Sequence, residues 1–338
     1  MTNGMILDQC VTEDFAAYHG DTVAVMSALP ARSVGMSVFS PPFASLYTYT
    51  NSDRDIGNVR DDEEFFGHFD FVVRALTRVT MAGRHAAFHC MDLPTSKERD
   101  GYIGQRDFRG DLIRAFERVG RCDKCSSVQS RPSERRVVFW PCAEKCGGVA
   151  QAWVLHSQTT IWKDPVTSMQ RTKALGLLHK TVRENAAMSR MGIPDYLVAL
   201  RAPGEAPREE RVTHDPEEYP VSMWQQVASP VWMDINPSDT LQHESAREEK
   251  DERHICPLQL EVIRRAVDLW TNPGDVVLSP FMGIGSEGHI ALGGSTRAGA
   301  RIKRRKFVGA ELKASYYQQA VANLKAAVAS DRQLAMFT

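Results

Sequence analysis

Two short apolar runs near opposite ends of the chain constrain the fold more than any other feature. Ser33-Val34-Gly35-Met36-Ser37-Val38-Phe39 stops abruptly at Ser40-Pro41-Pro42-Phe43, and Val276-Val277-Leu278 stops at Ser279-Pro280-Phe281-Met282-Gly283-Ile284-Gly285-Ser286. Short apolar runs bounded by turn residues read as strands buried on both faces, the kind found in parallel sheets covered by helices. Helical spacing supplies the cover. Phe65, Phe69, Val72, Leu76 and Val79 share one face of a helix predicted from Asp61 to Thr80, with acidic residues in its first turn. Phe108, Leu112, Ile113, Phe116 and Val119 mark a second helix. Between them, Met81 to Arg84 reads as a turn and His85 to Cys90 as a strand. Toward the C-terminus, Pro257 to Trp270 is a helix with Ile263, Val267 and Trp270 spaced for burial. Asn272 to Asp275 follows as a turn, Phe307 to Ala310 as a strand ending at Glu311, and Ser315 to Val328 as a closing helix. Strand and helix alternate at both ends, so the expected class is α/β with a doubly wound, Rossmann-like sheet.

The middle has a different character. Cys122-x2-Cys125 and Cys142-x3-Cys146 are separated by sixteen residues, the spacing of a four-thiolate zinc ribbon; two unrelated pairs of reduced thiols are the alternative. Zn2+ held by Cys122, Cys125, Cys142 and Cys146 would be structural, because four thiolates leave no open position. Seven cysteines is an odd number for a disulfide framework, and Cys10, Cys90 and Cys256 read as small buried residues. Arg131, Arg135 and Arg136, beside Phe139 and Trp140, suit either contact with a DNA backbone or a solvated face. Gln151 to Trp162 is strand-like. Ser168 to Met191 reads as a polar helix carrying Arg171, Lys173, Lys180, Arg183 and Arg190. Arg201 to Pro220 has no apolar period and reads as a linker or mobile loop, Glu244 to Arg253 as a solvated charge run, and Arg301 to Lys306 as a basic stretch that either touches phosphate or is a surface loop.

Composition narrows the function. The 43% hydrophobic and 25% charged content is ordinary for a globular chain and excludes wholesale disorder. No apolar run approaches the roughly 20 residues that span a bilayer, and Met1 to Gly4 carries no basic or apolar leader, so a soluble, cytoplasmic protein is expected. Lys plus Arg (41) nearly cancel Asp plus Glu (42), which argues against bulk-charge adhesion to nucleic acid but permits a local basic groove.

The two loops carry the chemistry. A glycine turn after a parallel strand lets backbone approach a cofactor, the following helix offers amides to an anionic group, and Glu311 can accept from both hydroxyls of a ribose. The spacing lacks the third glycine of the dinucleotide fingerprint. In Ser40-Pro41-Pro42-Phe43 the prolines delete two amide donors and stiffen the loop. A serine hydroxyl and a proline carbonyl can then accept from one exocyclic amine, and the aromatic ring offers a stacking face. A plain Pro-Pro turn has the same local look. Two such loops facing each other at the strand ends of a doubly wound sheet give one site for a cofactor and an amine.

These motifs resemble the S-adenosylmethionine-dependent DNA amino-methyltransferases of the N4-cytosine/N6-adenine group. That family's amine motif reads Ser/Asp/Asn-Pro-Pro-aromatic, matched by Ser40, Pro41, Pro42 and Phe43. Its cofactor motif reads Asp-Pro-Phe-x-Gly-x-Gly, matched by Pro280, Phe281, Gly283 and Gly285 with Ser279 in place of the acid. Arg305 to Leu312 resembles the ribose-binding strand with Glu311 at its end. His254, Pro257 and Leu258 resemble the segment that closes the cofactor pocket, and Gly20-Asp21 with Leu29-Pro30 resembles the approach to the amine motif. The amine motif precedes the cofactor motif, the permuted order of the beta subgroup.

The resemblance implies a class I methyltransferase sheet with an inserted zinc ribbon and target-recognition region, divided as 1–119 (catalytic), 120–150 (ribbon), 151–250 (recognition and linker) and 251–338 (cofactor-binding). It implies S-adenosyl-L-methionine as cofactor, with Asp21, His254, Pro257, Leu258, Ser279, Pro280, Phe281, Gly283, Gly285 and Glu311 around it, and double-stranded DNA as partner. A cytosine flipped out of the duplex would donate its N4 amine to Ser40 and Pro41 and stack on Phe43; adenine N6 is the runner-up. A cognate restriction nuclease is a further possible partner. Two other readings stand beside it: a nucleotide-dependent oxidoreductase, which leaves residues 40–43 unexplained, and a catalytically inactive zinc-ribbon DNA-binding protein. His89 and Asp92, just past the second strand, border the expected site or serve structure.

Overall fold

The computed structural model describes residues 6–42, 62–133, 135–172, 175–241 and 257–335. Nine strands form the central sheet: β1 (Ile6–Val11), β2 (Phe15–Gly20), β3 (Val34–Phe39), β4 (Thr80–Cys90), β5 (Val154–Ile161), β6 (Asp195–Arg201), β7 (Val231–Trp232), β8 (Val276–Ser279) and β9 (Lys306–Glu311). Their spatial order is β1-β2-β9-β8-β3-β4-β6-β5-β7. The run from β2 to β4 is parallel throughout, whereas β1 and β6 pair antiparallel with their inner neighbours. Winding leaves β8 in one direction toward β9 and β3 in the other toward β4, so the strand order reverses between β8 and β3.

Strict alternation of side chains splits the core in two. Met36, Val38, Ala87, Leu197, Ala199 and Val277 face one side, where α4 (Leu260–Trp270), α5 (Ser286–Ala291) and α6 (Ala314–Ala335) cover them. Phe39, Ala86, Phe88, Val198, Leu200 and Leu278 face the other, under α1 (Thr22–Ala28), α2 (Asp62–Val79) and α3 (Phe108–Glu117). On α2 the five residues expected to face inward are all fully buried, each stabilising by roughly 1.5–3 kcal/mol relative to exposure. Among the described residues no helix is long and apolar enough to cross a membrane.

Several local expectations are corrected. Met81 to Arg84 is part of β4: the register jumps from Val34↔Thr80 to Met36↔His85, so these residues form a bulge with Gly83 at φ +66°. The bulge lets buried Arg84 reach Gly35 O and Glu210 O and pair with Asp275. The polar helix from 168 to 191 is broken into Pro165–Thr172 and His179–Asn185, joined through a 3-10 turn containing Gly176. With no buried residue on the second piece, nothing holds a continuous helix together. Residues 201–220 are irregular but fastened: Arg84 reaches Glu210 O, Thr213 N donates to Asn272 Oδ1, Asn272 returns a bond to Arg211 O, and His214 stacks on Tyr219. They form a strap across the amino edge of the sheet. The charge run 244–253, Phe43, His254, Cys256 and Lys173 lie outside the described residues.

Residues 119–152 form a separate four-stranded antiparallel sheet that carries the four cysteines. Its root is Arg121, buried, which donates to Thr77 O, Thr80 O and Pro203 O at 2.8 Å each. Those carbonyls end α2, begin β4 and follow β6, so the insertion hangs from the amino edge of the central sheet. Residues 151–250 supply β5, β6 and β7 to that sheet; the excursion from 162 to 194 leaves and re-enters at its carboxyl edge.

Candidate active site

The parallel strands bring their carboxyl ends to one edge, and the antiparallel β6 brings its first residue there too. Leu278 pairs with Ser37 and Phe39 with Phe88, so the residues after β8 and β3 are next-door neighbours. The Phe39 and Phe281 rings lie 5.8 Å apart, which packs the base of the proline loop against the base of the glycine loop. Ser40 is half-buried and Pro41 buried. The sheet therefore brings the Ser40–Pro42 and Ser279–Gly285 segments together; Phe43 and His254 lie outside what is described.

The glycine loop is shaped by two left-handed residues. Gly283 has φ +52°, and a Cβ there would meet nothing within 4 Å, so the loop faces open space. Gly285 has φ +84° and precedes α5, with Ala320 Cβ only 3.2 Å from where its own Cβ would stand. Gly283 N donates to Glu311 Oε2 and Lys313 N to Glu311 Oε1, each at 2.8 Å. One carboxylate oxygen thus fixes the glycine loop and the other the turn that follows β9. Asp21 ends β2 and caps α1 through Ala24 N at 2.8 Å. Leu258 is buried under α4, with Pro257 just before it.

Among the described residues Thr22 Oγ1, Gln259 Oε1, Ser279 Oγ and Ser315 Oγ, at helix starts or strand ends around β2, β9 and β8, are buried without a hydrogen-bond partner, and so is His89 Nε2 near the end of β4. Buried polar groups are ordinarily satisfied, and a cluster of orphans points to a polar ligand. Glu287, fully buried behind the loop, has its carboxyl pushed up to about 8 by desolvation, with the Glu311 charge adding to the shift.

On the other side of Ser40 stands a polar chain that sequence spacing did not reveal. Ser40 Oγ lies 3.3 Å from His89 Nδ1, His89 Nε2 stands 3.1 Å from Asp195 Oδ2, and Lys163 Nζ donates to Asp195 Oδ1 at 2.5 Å. Burial opposes ionisation of Asp195, but His89 and Lys163 outweigh it and hold the carboxyl below its usual range. Asp92 accepts from Arg109 N, and the Arg109 guanidinium lies 4.3 Å over the Tyr196 ring beside this chain. The one available signal for Asp195 was its place before the apolar run Tyr196-Leu197-Val198-Ala199-Leu200.

The second cluster lies at the opposite edge. The Sγ atoms of Cys122, Cys125, Cys142 and Cys146 are all within 4.8 Å of one another, with the 122–146 and 125–142 pairs at 3.6 Å. A tetrahedral site with Zn–S bonds of about 2.3 Å places its sulfurs about 3.8 Å apart. Both cysteine pairs sit in tight turns, with Ser126 and Lys145 at φ 61° and 52°, and Gln129 Nε2 donates to Cys142 Sγ at 2.9 Å. The donor set can hold a metal ion such as zinc. Trp140 is buried against Ala150 and Ala152, so it is core of the insertion and not part of an exposed aromatic face. Phe139 is exposed, and Arg136 pairs with Glu117.

Comparison with known proteins agrees with this layout. The family described as DNA methylase, covering N6 and N4 enzymes, matches residues 34–322. A candidate DNA modification methylase of Thermus thermophilus, solved in complex with S-adenosyl-L-methionine, superposes with a TM-score of 0.57 at 21% identity, over 94% of this chain and 95% of that one. PvuII DNA methyltransferase, cytosine-N4-specific, superposes with a TM-score of 0.57 at 14% identity, over 94% of this chain and 89% of that one. Comparison with curated protein sequences gave no match. At such identities the structural likeness speaks for the fold, an α/β sheet of class I methyltransferase type with a cysteine cluster in an insertion.

Proposed function

Since the chain belongs to the DNA methylase family of N6 and N4 enzymes, we propose that it moves a methyl group from S-adenosyl-L-methionine to the exocyclic N4 of a cytosine flipped out of double-stranded DNA. The observation that carries this reading is the adjacency of the Ser40 and Gly283 loops across β3 and β8. Ser40, not an acidic residue, leads the amine motif, which favours cytosine over adenine. The order of the two motifs, amine before cofactor, supports the permuted beta subgroup.

The bound cofactor supplies an electrophilic methyl on a sulfonium. In this reading the Pro280–Gly285 loop lies along it, Glu311 accepts from the ribose hydroxyls, and Asp21, His254, Pro257 and Leu258 border the pocket. Ser279, Thr22, Gln259 and Ser315 then gain the partners they lack. Phe281 presents an aromatic face toward the sulfonium. Ser40 Oγ and the Pro41 carbonyl accept from the amine, drawing its nitrogen toward a tetrahedral shape with an exposed lone pair, while Phe43 stacks on the base. No strong base is needed; positioning and fixed dipoles do the work. The excursion 162–194, with exposed Lys180 and Arg183, rises from the edge of the site and is assigned to target recognition. The four cysteines hold a structural zinc in a ribbon. Pairing with a cognate restriction nuclease, in the cytoplasm, fits such an enzyme.

Sequencing of DNA from cells expressing the protein, with a method that reports modified bases, tests this. N4-methylcytosine in a short motif, lost with Ser40→Ala, is expected. N6-methyladenine in its place moves the acceptor to adenine, and unmodified DNA overturns the reading.

A further inference from the structure

Resting on that reading, we propose that His89 is a positioning residue that makes Ser40 a hydrogen-bond acceptor, so that the site admits an amino group and rejects a carbonyl, and that carries away the amine's proton. A serine hydroxyl has one proton and two lone pairs, and unless that proton has a fixed destination it can point at the substrate. Here it has one. Ser40 follows β3, His89 lies beside it on β4, and their Oγ and Nδ1 atoms are 3.3 Å apart. The far nitrogen of the ring stands 3.1 Å from Asp195 Oδ2, and only 11% of the His89 side chain and 4% of Asp195 are exposed. Nε2 and the carboxylate are close but not aligned as a hydrogen bond, so it is the Asp195 charge that favours the proton on the nearer nitrogen and leaves Nδ1 as the acceptor. Lys163, donating to the other Asp195 oxygen, balances the carboxylate charge.

The consequence is a polarity. Ser40 donates inward to His89 and presents lone pairs outward, where a base amine has protons to give. A keto oxygen in the same place meets lone pairs and leaves Ser40 unsatisfied. At position 4 cytosine carries an amine where uracil carries a keto oxygen, so the chain of contacts is a filter for amino-bearing bases.

The same contacts give the proton a route. The amine nitrogen bonds to the methyl carbon as the carbon–sulfur bond breaks, and the electron pair stays on sulfur as a thioether. The nitrogen then carries a positive charge. It loses a proton to Ser40 Oγ as the serine proton moves to His89 Nδ1, and the imidazolium sits against the Asp195 carboxylate until it releases a proton to solvent. The charged and titratable groups around His89 are Asp195 on β6, Lys163 after β5, Cys90 and Asp92 at the end of β4, and Arg109 on α3.

The test combines spectroscopy with kinetics. In the full-length protein without ligands, imidazole 15N NMR should show His89 as the Nε2–H tautomer; an Nδ1–H tautomer overturns the proposal. His89→Ala should lower kcat about 10- to 100-fold while the cofactor Kd stays within about twofold. His89→Asn, which can place an acceptor oxygen near the Nδ1 position, should recover at least about tenfold of that loss. Full kcat in His89→Ala, or no recovery in His89→Asn, overturns the inference with the methyltransferase reading intact. A wild-type protein that methylates no DNA removes that reading, and the tautomer measurement still judges the contact chain.

Discussion

The carboxyl edge of the central sheet and the cysteine insertion are built on opposite principles. The edge gathers residues 21, 40, 89, 195, 279 and 311, remote in sequence, and holds them with two large apolar cores, one on each face. It can therefore leave Ser279 Oγ and its neighbours unpartnered. The insertion has a small apolar cluster of its own, Trp140, Ala150 and Ala152, is rooted in the main body through Arg121, and gathers four thiols that can hold a metal. Stability from burial permits an edge with unsatisfied groups. A unit with so little apolar core of its own has less such freedom, and it sits at the other edge.

The sharpest way to break this contrast is to strip the metal. One zinc per chain is expected by elemental analysis, and Cys142→Ser should abolish it. Structural zinc contributes on the order of 10 kcal/mol in small ribbons, so amides in 119–152 should lose hydrogen-exchange protection while β3, β4 and β8 keep theirs. Cofactor binding should be unchanged. Loss of protection across the central sheet would show that the two regions are not independent.

The glycine loop offers a smaller effect that sharpens the same point. Gly285→Val forces a β-branched residue to φ +84° against Ala320, costing on the order of 2–4 kcal/mol by denaturant unfolding. Gly283→Ala meets open space, so it should cost only about 1 kcal/mol yet weaken cofactor binding by tenfold or more, because its methyl enters the ligand's place. If both variants change stability and binding in proportion, the two glycines do not divide the work in this way.

The smallest effect belongs to Glu287. Its folded carboxyl titrates at about 8 against an ordinary 4.5. Between those values the unfolded chain has released a proton that the folded chain retains, so stability falls as pH rises through the window. Glu287→Gln, a neutral mimic, should flatten the decline when denaturant midpoints at pH 5 and pH 8 are compared. An unchanged slope would assign it to another group.

Much of the edge was legible because its signals are local. An apolar run ending in Ser40-Pro41-Pro42 or Pro280-Phe281-Met282-Gly283 announces strand and loop together, and α2 follows from the spacing of Phe65, Phe69, Val72, Leu76 and Val79. The cysteine cluster was equally plain from its spacing. What stayed hidden depends on long-range pairing. Nothing near Asp195 or Lys163 tells that β6 and β5 will bring them to His89. The bulge at 81–84 looked like a turn because Gly83 marks both, and only the register against β3 separates them. The helix expected from 168 to 191 failed because charge alone gives it no face to bury. The ribbon's arginines suited DNA in sequence, yet the insertion hangs from the edge opposite the candidate site.

The central claim is that the Ser40 loop receives the acceptor amine while the neighbouring glycine loop holds the methyl donor. Single-turnover transfer of a labelled methyl group to cognate DNA, with calorimetric cofactor binding on the same preparations of wild type and Ser40→Ala, tests it most directly. Binding within about twofold of wild type with transfer reduced at least about a hundredfold is the predicted result. Transfer by Ser40→Ala at the wild-type rate would contradict it.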